Sequence, residues 1–306
     1  MNSNLFFREL RSNASTLLIW TAVITALTTL TMSFYGVFLE NNQKILAMIS
    51  ILPEGTLQFK GISDVDDLFS VLGFYSANNV IYMLVLGSIY SIVLSSGILL
   101  REEYNKTAEF LLAWPLTRGE IFFSKAAVVF LNVLVINTFT AVAGYITLEI
   151  VKREPFSTNA FLVMSLYTLM LNLFFASLGL FMSTLVKRAR PITTLSIGLV
   201  LILYFIFTIS NITESFSVLG YVSPYKFVNL DTLDPNYRIE FISVLYFTVL
   251  SLLLTLISFR LTGAKTSIYR PHQHKNEIYQ IHNYSADSIS FSRQCVNGTG
   301  LHTKYF

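Results

Sequence analysis

Catalytic and metal-binding motifs are missing from this sequence, which narrows the chemistry that the chain can do by itself. No GxxxxGK(S/T) phosphate loop is present, because residues 263–266 (GAKT) lack both the earlier glycine and the Gly-Lys junction. All four histidines and the single cysteine, Cys295, follow residue 271, so the preceding part contains no HExxH motif and no histidine- or cysteine-based metal site. The chain is therefore predicted not to be an enzyme and to hold no metal and no cofactor.

The strongest pattern for binding chemistry lies at residues 101–125, which read REEYNKTAEFLLAWPLTRGEIFFSK. Four acidic and four basic residues surround an apolar core, FLLAW, at residues 110–114. Charged ends around an apolar middle are typical of a short helix that lies in the groove of a partner protein. The core allows about two helical turns before Pro115 ends them, and we expect a second short element to begin at Thr117.

Six long runs without charged residues predict the helices that flank this segment. They cover residues 17–39, 68–100, 126–148, 155–186, 191–213 and 241–259. A helix crosses a bilayer with about 20 mostly apolar residues, and a charge at its centre costs about 2.5–3.5 kcal/mol. We therefore predict an all-α integral membrane protein with transmembrane helices at about 17–39, 78–100, 126–148, 162–186, 191–211 and 241–260. Six buried helices of a soluble protein are the alternative, but they would need polar faces at helical spacing.

Basic residues in the connections predict the orientation of these helices. Arginines and lysines mark the N-terminal segment, the connection after helix 2, the turn after helix 4 and the residues after helix 6. Since such residues stay on the cytoplasmic side, both termini and residues 101–125 are predicted to be cytoplasmic. Asp64, Asp66 and Asp67 in the opposite, outer loop could bind a cation, but the same charge rule predicts an acidic outer loop, so we assign no metal site.

Three parts are predicted along the chain. Residues 1–16 form an N-terminal segment in which residues 4–13 suit a short interfacial helix before the first span, with a frayed cytoplasmic start as the alternative. Residues 17–265 form the six-helix domain, and residues 266–306 form a polar, disordered cytoplasmic tail. Within the domain, the outer loop at 211–240 contains an apolar stretch, residues 215–230, that is interrupted by Gly220 and Pro224, a pattern that also fits re-entry into the membrane.

Uncharged polar residues inside the spans are the candidates for contact with a transported molecule. They are Thr25, Thr29, Asn132, Asn137 and Asn172. Hydroxyls and amides in membrane helices more often bond neighbouring helices or their own backbone, so helix packing is the competing interpretation. No Asp, Glu, Lys or Arg lies near the centre of any predicted span, which weighs against an ion-coupled secondary transporter.

In residues 101–125 the chain resembles the permease subunits of type-2 ABC (ABC-2) transporters, an exporter class whose subunits have six spans. Their loop between helices 2 and 3 reads as acidic residues, then G-T-x-E-x-L-L-x-x-P-x-(S/T)-R, then a lysine that opens helix 3. This sequence matches the pattern at Glu102, Glu103, Thr107, Glu109, Leu111, Leu112, Pro115, Thr117, Arg118 and Lys125. It departs from the pattern at Lys106, which replaces the usual glycine. The N-terminal segment, the six-span order and the Ser223-Pro224 pair before helix 6 extend the resemblance over residues 1–265.

The resemblance implies that residues 101–125 contain a coupling helix that docks onto a separate ATP-binding subunit. The implied docking residues are Glu102, Glu103, Thr107, Glu109, Phe110, Leu111, Leu112, Trp114, Pro115, Thr117 and Arg118. It further implies two permease and two ATPase subunits per transporter, with ATP and Mg²⁺ on the ATPase, in the plasma membrane. The net charge of +3 is too small to indicate nucleic-acid binding. A non-transporting membrane scaffold or sensor, and a secondary transporter, are the alternatives.

Overall fold

The structure, a computed structural model, describes residues 2–49, 69–104, 117–186, 189–212, 214–230 and 237–264. Two compact units are distinguished, Met1–Phe259 and Arg260–Phe306. The fold described here is that of the first unit. Of the second unit the described part is residues 260–264, which continue the last helix, so the predicted tail at 266–306 lies outside the described residues.

Helices and their connections make up the described chain, which contains no β-strand. The α-helices are α1 (Ser3–Ser33), α2 (Tyr35–Glu40), α3 (Asn42–Ile49), α4 (Val71–Tyr75), α5 (Ile81–Tyr104), α6 (Arg118–Val151), α7 (Thr158–Leu185), α8 (Ala189–Ile212) and α9 (Phe241–Ala264). A π-helical segment, Ser76–Val80, joins α4 to α5, and two 3-10 helices, Glu214–Val222 and Pro224–Phe227, lie between α8 and α9. The predicted all-α class is confirmed.

Six helical stretches are long and apolar enough to cross a bilayer, which confirms the predicted number of spans. They are Ser3–Glu40, Val71–Leu100, Gly119–Val151, Thr158–Leu185, Ile192–Asn211 and Phe241–Thr262. Helices satisfy their backbone N–H and C=O groups internally, as the hydrocarbon region of a membrane requires. The second and third stretches begin several residues before the predicted 78–100 and 126–148 spans. The second takes in more of the uncharged run at 68–100, and the third includes Glu120 and Lys125, whose charges set the limit of the predicted span.

The first span differs from its prediction, because residues 4–13 do not form a separate interfacial helix. They are the first turns of α1, which runs unbroken over the 31 residues Ser3–Ser33 and is capped by the side chain of Asn2. No glycine or proline interrupts this stretch. The amide of Asn13, the last residue of the predicted interfacial helix, donates to the carbonyl of Glu9 at 2.8 Å and so supports the continuous helix.

Helices α5 and α7 form the centre of the first unit. In the most apolar stretch of each span, 67% of the residues are buried in Val71–Leu100 and 61% in Thr158–Leu185, against 17% in the first span. The two helices approach most tightly at Gly179, where an added Cβ would lie 2.6 Å from the carbonyl oxygen of Ile92 and 2.0 Å from Ser95 Oγ. Glycine is required there because any side chain would push the helices apart.

The segment between α8 and α9 folds back onto the bundle. The 3-10 helix Glu214–Val222 packs along α8, and the hydroxyl of Ser223 donates to the carbonyl of Leu203 in α8 at 2.8 Å. Tyr225 is buried, and its hydroxyl donates to the carbonyl of Leu84 in α5 at 3.3 Å. The segment is therefore anchored to two spans at Ser223 and Tyr225, while the preceding 3-10 helix keeps Val218, Tyr221 and Val222 exposed.

Candidate functional site

Within residues 101–125, the connection from the end of α5 at Tyr104 to the start of α6 at Arg118 is the part here called the docking segment. Of the predicted docking residues, Glu102 and Glu103 belong to the last turn of α5, Thr117 precedes α6 directly, and Arg118 is the first residue of α6. The remaining ones lie outside the described residues: Thr107, Glu109, Phe110, Leu111, Leu112, Trp114 and Pro115. The structure therefore describes the two helix ends that flank the segment, and the coupling helix between them stays a prediction.

Thr117 and Glu120 form a capping box at the start of α6. The backbone N–H of Thr117 donates to a carboxylate oxygen of Glu120 at 2.9 Å, and the backbone N–H of Glu120 donates to the Thr117 hydroxyl at 3.3 Å. These bonds satisfy N–H groups that the start of a helix leaves without a partner. Thr117 is thus the cap of α6 itself, and the expected second short element before helix 3 is part of that helix.

Lys125 connects the two helices that flank the docking segment. Its side chain is 1% exposed, and its Nζ donates to the backbone carbonyl of Ile98, in α5, at 2.7 Å. Hydrogen bonds from a charged donor are shorter and stronger than neutral ones, and a low local dielectric strengthens them further. The bond joins α5 and α6 near the ends from which the docking segment extends. Sequence reasoning placed Lys125 at the opening of the helix but could not predict a partner on the backbone of another helix.

Two of the predicted pathway residues, Asn137 in α6 and Asn172 in α7, meet in a buried chain of hydrogen bonds. Asn172 donates from its amide to the side-chain oxygen of Asn137 at 3.1 Å and accepts from the hydroxyl of Ser88, in α5, at 3.2 Å. Gly87 leaves room for this contact, since an added Cβ would lie 2.7 Å from the Asn172 side-chain nitrogen. The chain joins three spans in the interior, which supports the packing interpretation for these residues.

The other predicted pathway residues lie apart from that chain. Asn132 donates to the carbonyl of Val128 in its own helix at 2.7 Å, and its side-chain oxygen lies 3.5 Å from the hydroxyl of Tyr90. In α1, Thr25 is half-buried and Thr29 is exposed. The five candidates therefore do not form one continuous polar surface in the described part of the chain.

A small polar cavity beside the buried chain was not predicted from the sequence. It has a volume of about 20 Å³, and its lining comes from α1, α4, the π-helical segment, α5, α6 and α7. Its polar lining includes Thr28, Asn79, Asn137, Thr140 and Thr168. Asn79 is 3% exposed, and neither polar atom of its amide has a hydrogen-bond partner among the described residues. The Asn78-Asn79 pair inside an apolar run was the sequence feature that could have indicated a polar site. The pair alone does not reveal which of the two side chains faces inward.

Hydrogen bonds between helices are the shared feature of these sites. In the described ranges, no three His, Cys, Asp or Glu side chains come together in a group that could hold a metal ion.

No curated protein matches the chain. The family model described as "ABC-2 family transporter protein" matches residues 14–261, which include residues of all six membrane-capable stretches. The chain therefore belongs to the ABC-2 family and is a multi-pass membrane permease component of an ABC transporter.

Proposed function

We propose that this permease exports a cargo molecule across the plasma membrane with free energy from ATP that a separate ATPase subunit hydrolyses. The ATPase, which would hold ATP and Mg²⁺, binds residues 101–125 on the cytoplasmic side, and a second permease subunit completes the transport path. The chain has no phosphate loop and no charged residue near the centre of a predicted span. A conformational change that drives transport must therefore be biased by a bound partner.

The observation that carries this proposal is the hydrogen bond between Lys125 Nζ and the carbonyl of Ile98. It joins α5 and α6 at the ends where both meet the docking segment. The capping box of Thr117 and Glu120 holds the start of α6 in addition. A partner that displaces the segment would therefore move both helices together, instead of only bending the connection between them.

Movement of α5 would reach most of the membrane domain, because this helix packs against α6, α7 and α8. At Gly179, α5 and α7 are in direct contact, because an added Cβ would overlap Ser95 and Ile92. Closely packed helices respond to a displacement by shifting as bodies between discrete arrangements. ATP-driven closure of a docked ATPase pair could then alternate the permease between two states.

Charge reversal in the docking segment tests the proposal. The tagged full-length chain is purified from its native membranes, and the co-purifying polypeptides are examined for a phosphate loop and for ATP hydrolysis. We expect the double variant Glu109→Lys, Leu112→Asp to lower the recovered ATPase at least tenfold, since a loss of about 1.4 kcal/mol in binding free energy has that effect. The amount of inserted permease should not change, because the spans are untouched.

Glu154→Lys is the matched control, because it makes the same charge reversal at an exposed residue beyond the other end of α6. Its recovery of ATPase should equal that of the wild type. If the double variant keeps both the ATPase and ATP-dependent export, the docking assignment is wrong. A wild-type chain that recovers no ATPase would favour a scaffold or sensor, and transport driven by an ion gradient without ATP would indicate a secondary transporter.

A further inference from the structure

An open apolar groove runs between α6 and α7 in the membrane-spanning part of the unit, with a volume of about 620 Å³. Sites for small molecules occupy about 300–1,000 Å³. Val142 and Ile146 of α6 and Leu162 and Leu166 of α7 line the groove and are between 40% and 59% exposed. In a bilayer, a groove with such walls is open to the acyl chains around the protein.

The groove adjoins the polar cavity that Asn79 lines. Asn137, Ala141 and Ser165 line both spaces, so the groove and the cavity meet at these residues. The cavity of about 20 Å³ is small but sufficient for one polar group, since about 10–15 Å³ of such volume holds a water molecule. The two spaces together offer an apolar surface on the outside of the bundle and a hydrogen-bonding amide behind it.

The amide of Asn79 is the observation that points to a ligand. It is almost fully buried, and both its donor and its acceptor are without partners in the described chain. A buried polar group left unpaired costs about 1–3 kcal/mol, whereas the neighbouring Asn78 satisfies its amide at the carbonyl of Phe74, at 2.9 Å. Asn79 also belongs to the π-helical segment Ser76–Val80, and π-helical turns are frequent at functional sites.

We infer that the groove and the cavity form a binding site for a single-chain amphiphile from the surrounding bilayer. Its acyl chain lies in the groove between α6 and α7, and its uncharged hydroxyl or amide head bonds to Asn79. No charged residue of the described chain lines either space, and burial of an unpaired charge costs far more than burial of a hydroxyl, so the site disfavours charged heads. This site does not depend on the proposed ATPase partner, because it lies wholly within the membrane domain.

Photolabelling tests the site directly. The full-length chain in phosphatidylcholine nanodiscs is labelled with a monoacylglycerol that carries a diazirine in its acyl chain. Unlabelled monoacylglycerol, the matching fatty acid and its methyl ester compete. We expect label on α6 and α7 around Val142, Ile146, Leu162 and Leu166. Monoacylglycerol should compete at about tenfold lower concentration than the two others, since one hydrogen bond contributes up to about a factor of ten.

Variants at Asn79 and Ala141 test the head-group contact and the acyl-chain contact of the ligand separately. Asn79→Leu removes the amide at similar size and should weaken monoacylglycerol binding about tenfold without lowering the melting temperature, because the amide has no protein partner to lose. Asn78→Leu is the matched control in the same π-helical segment and should leave binding unchanged. Ala141→Phe fills part of the groove where the groove meets the cavity and should abolish labelling.

Equal affinity of the wild type and Asn79→Leu would overturn the inference, as would label found away from α6 and α7. A lower melting temperature of Asn79→Leu with unchanged affinity would mean that the cavity holds a structural water, which also overturns it. If Asn79→Leu does not fold, Ala141→Phe decides: lost labelling supports the site, and retained labelling contradicts it.

Discussion

Lys125 lies at the edge of a predicted span, where a lysine ordinarily extends toward water, yet its side chain is 1% exposed. A buried ammonium is tolerable only when it is hydrogen-bonded, and the carbonyl of Ile98 accepts from it at 2.7 Å. One side chain therefore links the two helices that support the docking segment. If residues 101–125 receive the force of a partner, this residue determines whether α5 and α6 respond together.

Substitution of Lys125 tests that link. Lys125→Met should lower the free energy of unfolding by about 1.5–3 kcal/mol, because it removes a hydrogen bond with a charged donor. Lys125→Arg keeps a cationic donor and should lower the free energy of unfolding by less. Thermal unfolding of the purified chain in detergent measures the difference, and an unchanged melting temperature in Lys125→Met would show that the bond contributes little to the fold.

Asparagines in the spans illustrate how strongly the environment determines the role of a residue type. Asn172 is bonded on both sides, to Asn137 and to Ser88. Asn79 is equally buried and has no partner in the described chain. The first amide joins helices and the second does not, although both stand in uncharged sequence.

At the scale of helices, the contact between α5 and α7 sets the geometry of the bundle. Gly179→Ala should destabilise the protein by about 1–3 kcal/mol, the usual cost of overpacking, because the new Cβ would lie 2.6 Å from the carbonyl oxygen of Ile92. Gly198→Ala is a matched control, since an added Cβ there meets nothing within 4 Å. It should be neutral or stabilise by up to about 1 kcal/mol through helix propensity.

Melting temperatures of the two glycine variants, measured side by side in the same detergent, check this prediction. If both alanine variants have the melting temperature of the wild type, then the two central helices have room to separate. In that case α5 could move without α7, and the transmission of movement from the docking segment through the bundle would lose its basis.

Continuity of the helices is a second feature at this scale. α1 begins at Ser3 and α6 at Arg118, each well before its predicted span. Caps at Asn2 and Thr117 satisfy the first N–H groups of these helices, so both can start outside the apolar run. The two starts are also joined, because the backbone N–H of Asn2 donates to the hydroxyl of Ser124 at 3.1 Å.

Orientation in the membrane determines what each site of the protein can reach. The charge rule predicts cytoplasmic termini and a cytoplasmic docking segment. The connection between α6 and α7 would then lie outside, and the groove, lined by residues 137–169, would open toward the outer leaflet.

Cysteine accessibility tests this orientation. With Cys295 replaced by serine, Glu154→Cys should react with a membrane-impermeant maleimide in intact cells, because residue 154 is exposed in the predicted outer connection. Ser3→Cys, exposed near the N-terminus, should react only after permeabilisation. The reverse pattern would mean that the chain is inserted in the opposite direction and that residues 101–125 cannot meet an ATPase in the cytoplasm.

Local composition was enough to predict the helical class and the six spans. A helix that crosses hydrocarbon needs a minimum length of uncharged residues, and that requirement is readable from the chain without any partner. The same holds for the polar interruption at residues 101–125 and for Asn137 and Asn172 as buried polar candidates. These features depend on residue type and position along the chain.

Which polar groups meet became apparent only in the folded helix bundle. The bond from Lys125 to Ile98, the contact of Asn172 with Ser88 and the unpaired amide of Asn79 all depend on how each helix is rotated about its axis. A span that is apolar on every side has no polar face from which that rotation could be read. Neighbouring helices set it through close contacts such as Gly179 against Ile92, and those contacts exist only once the bundle has formed.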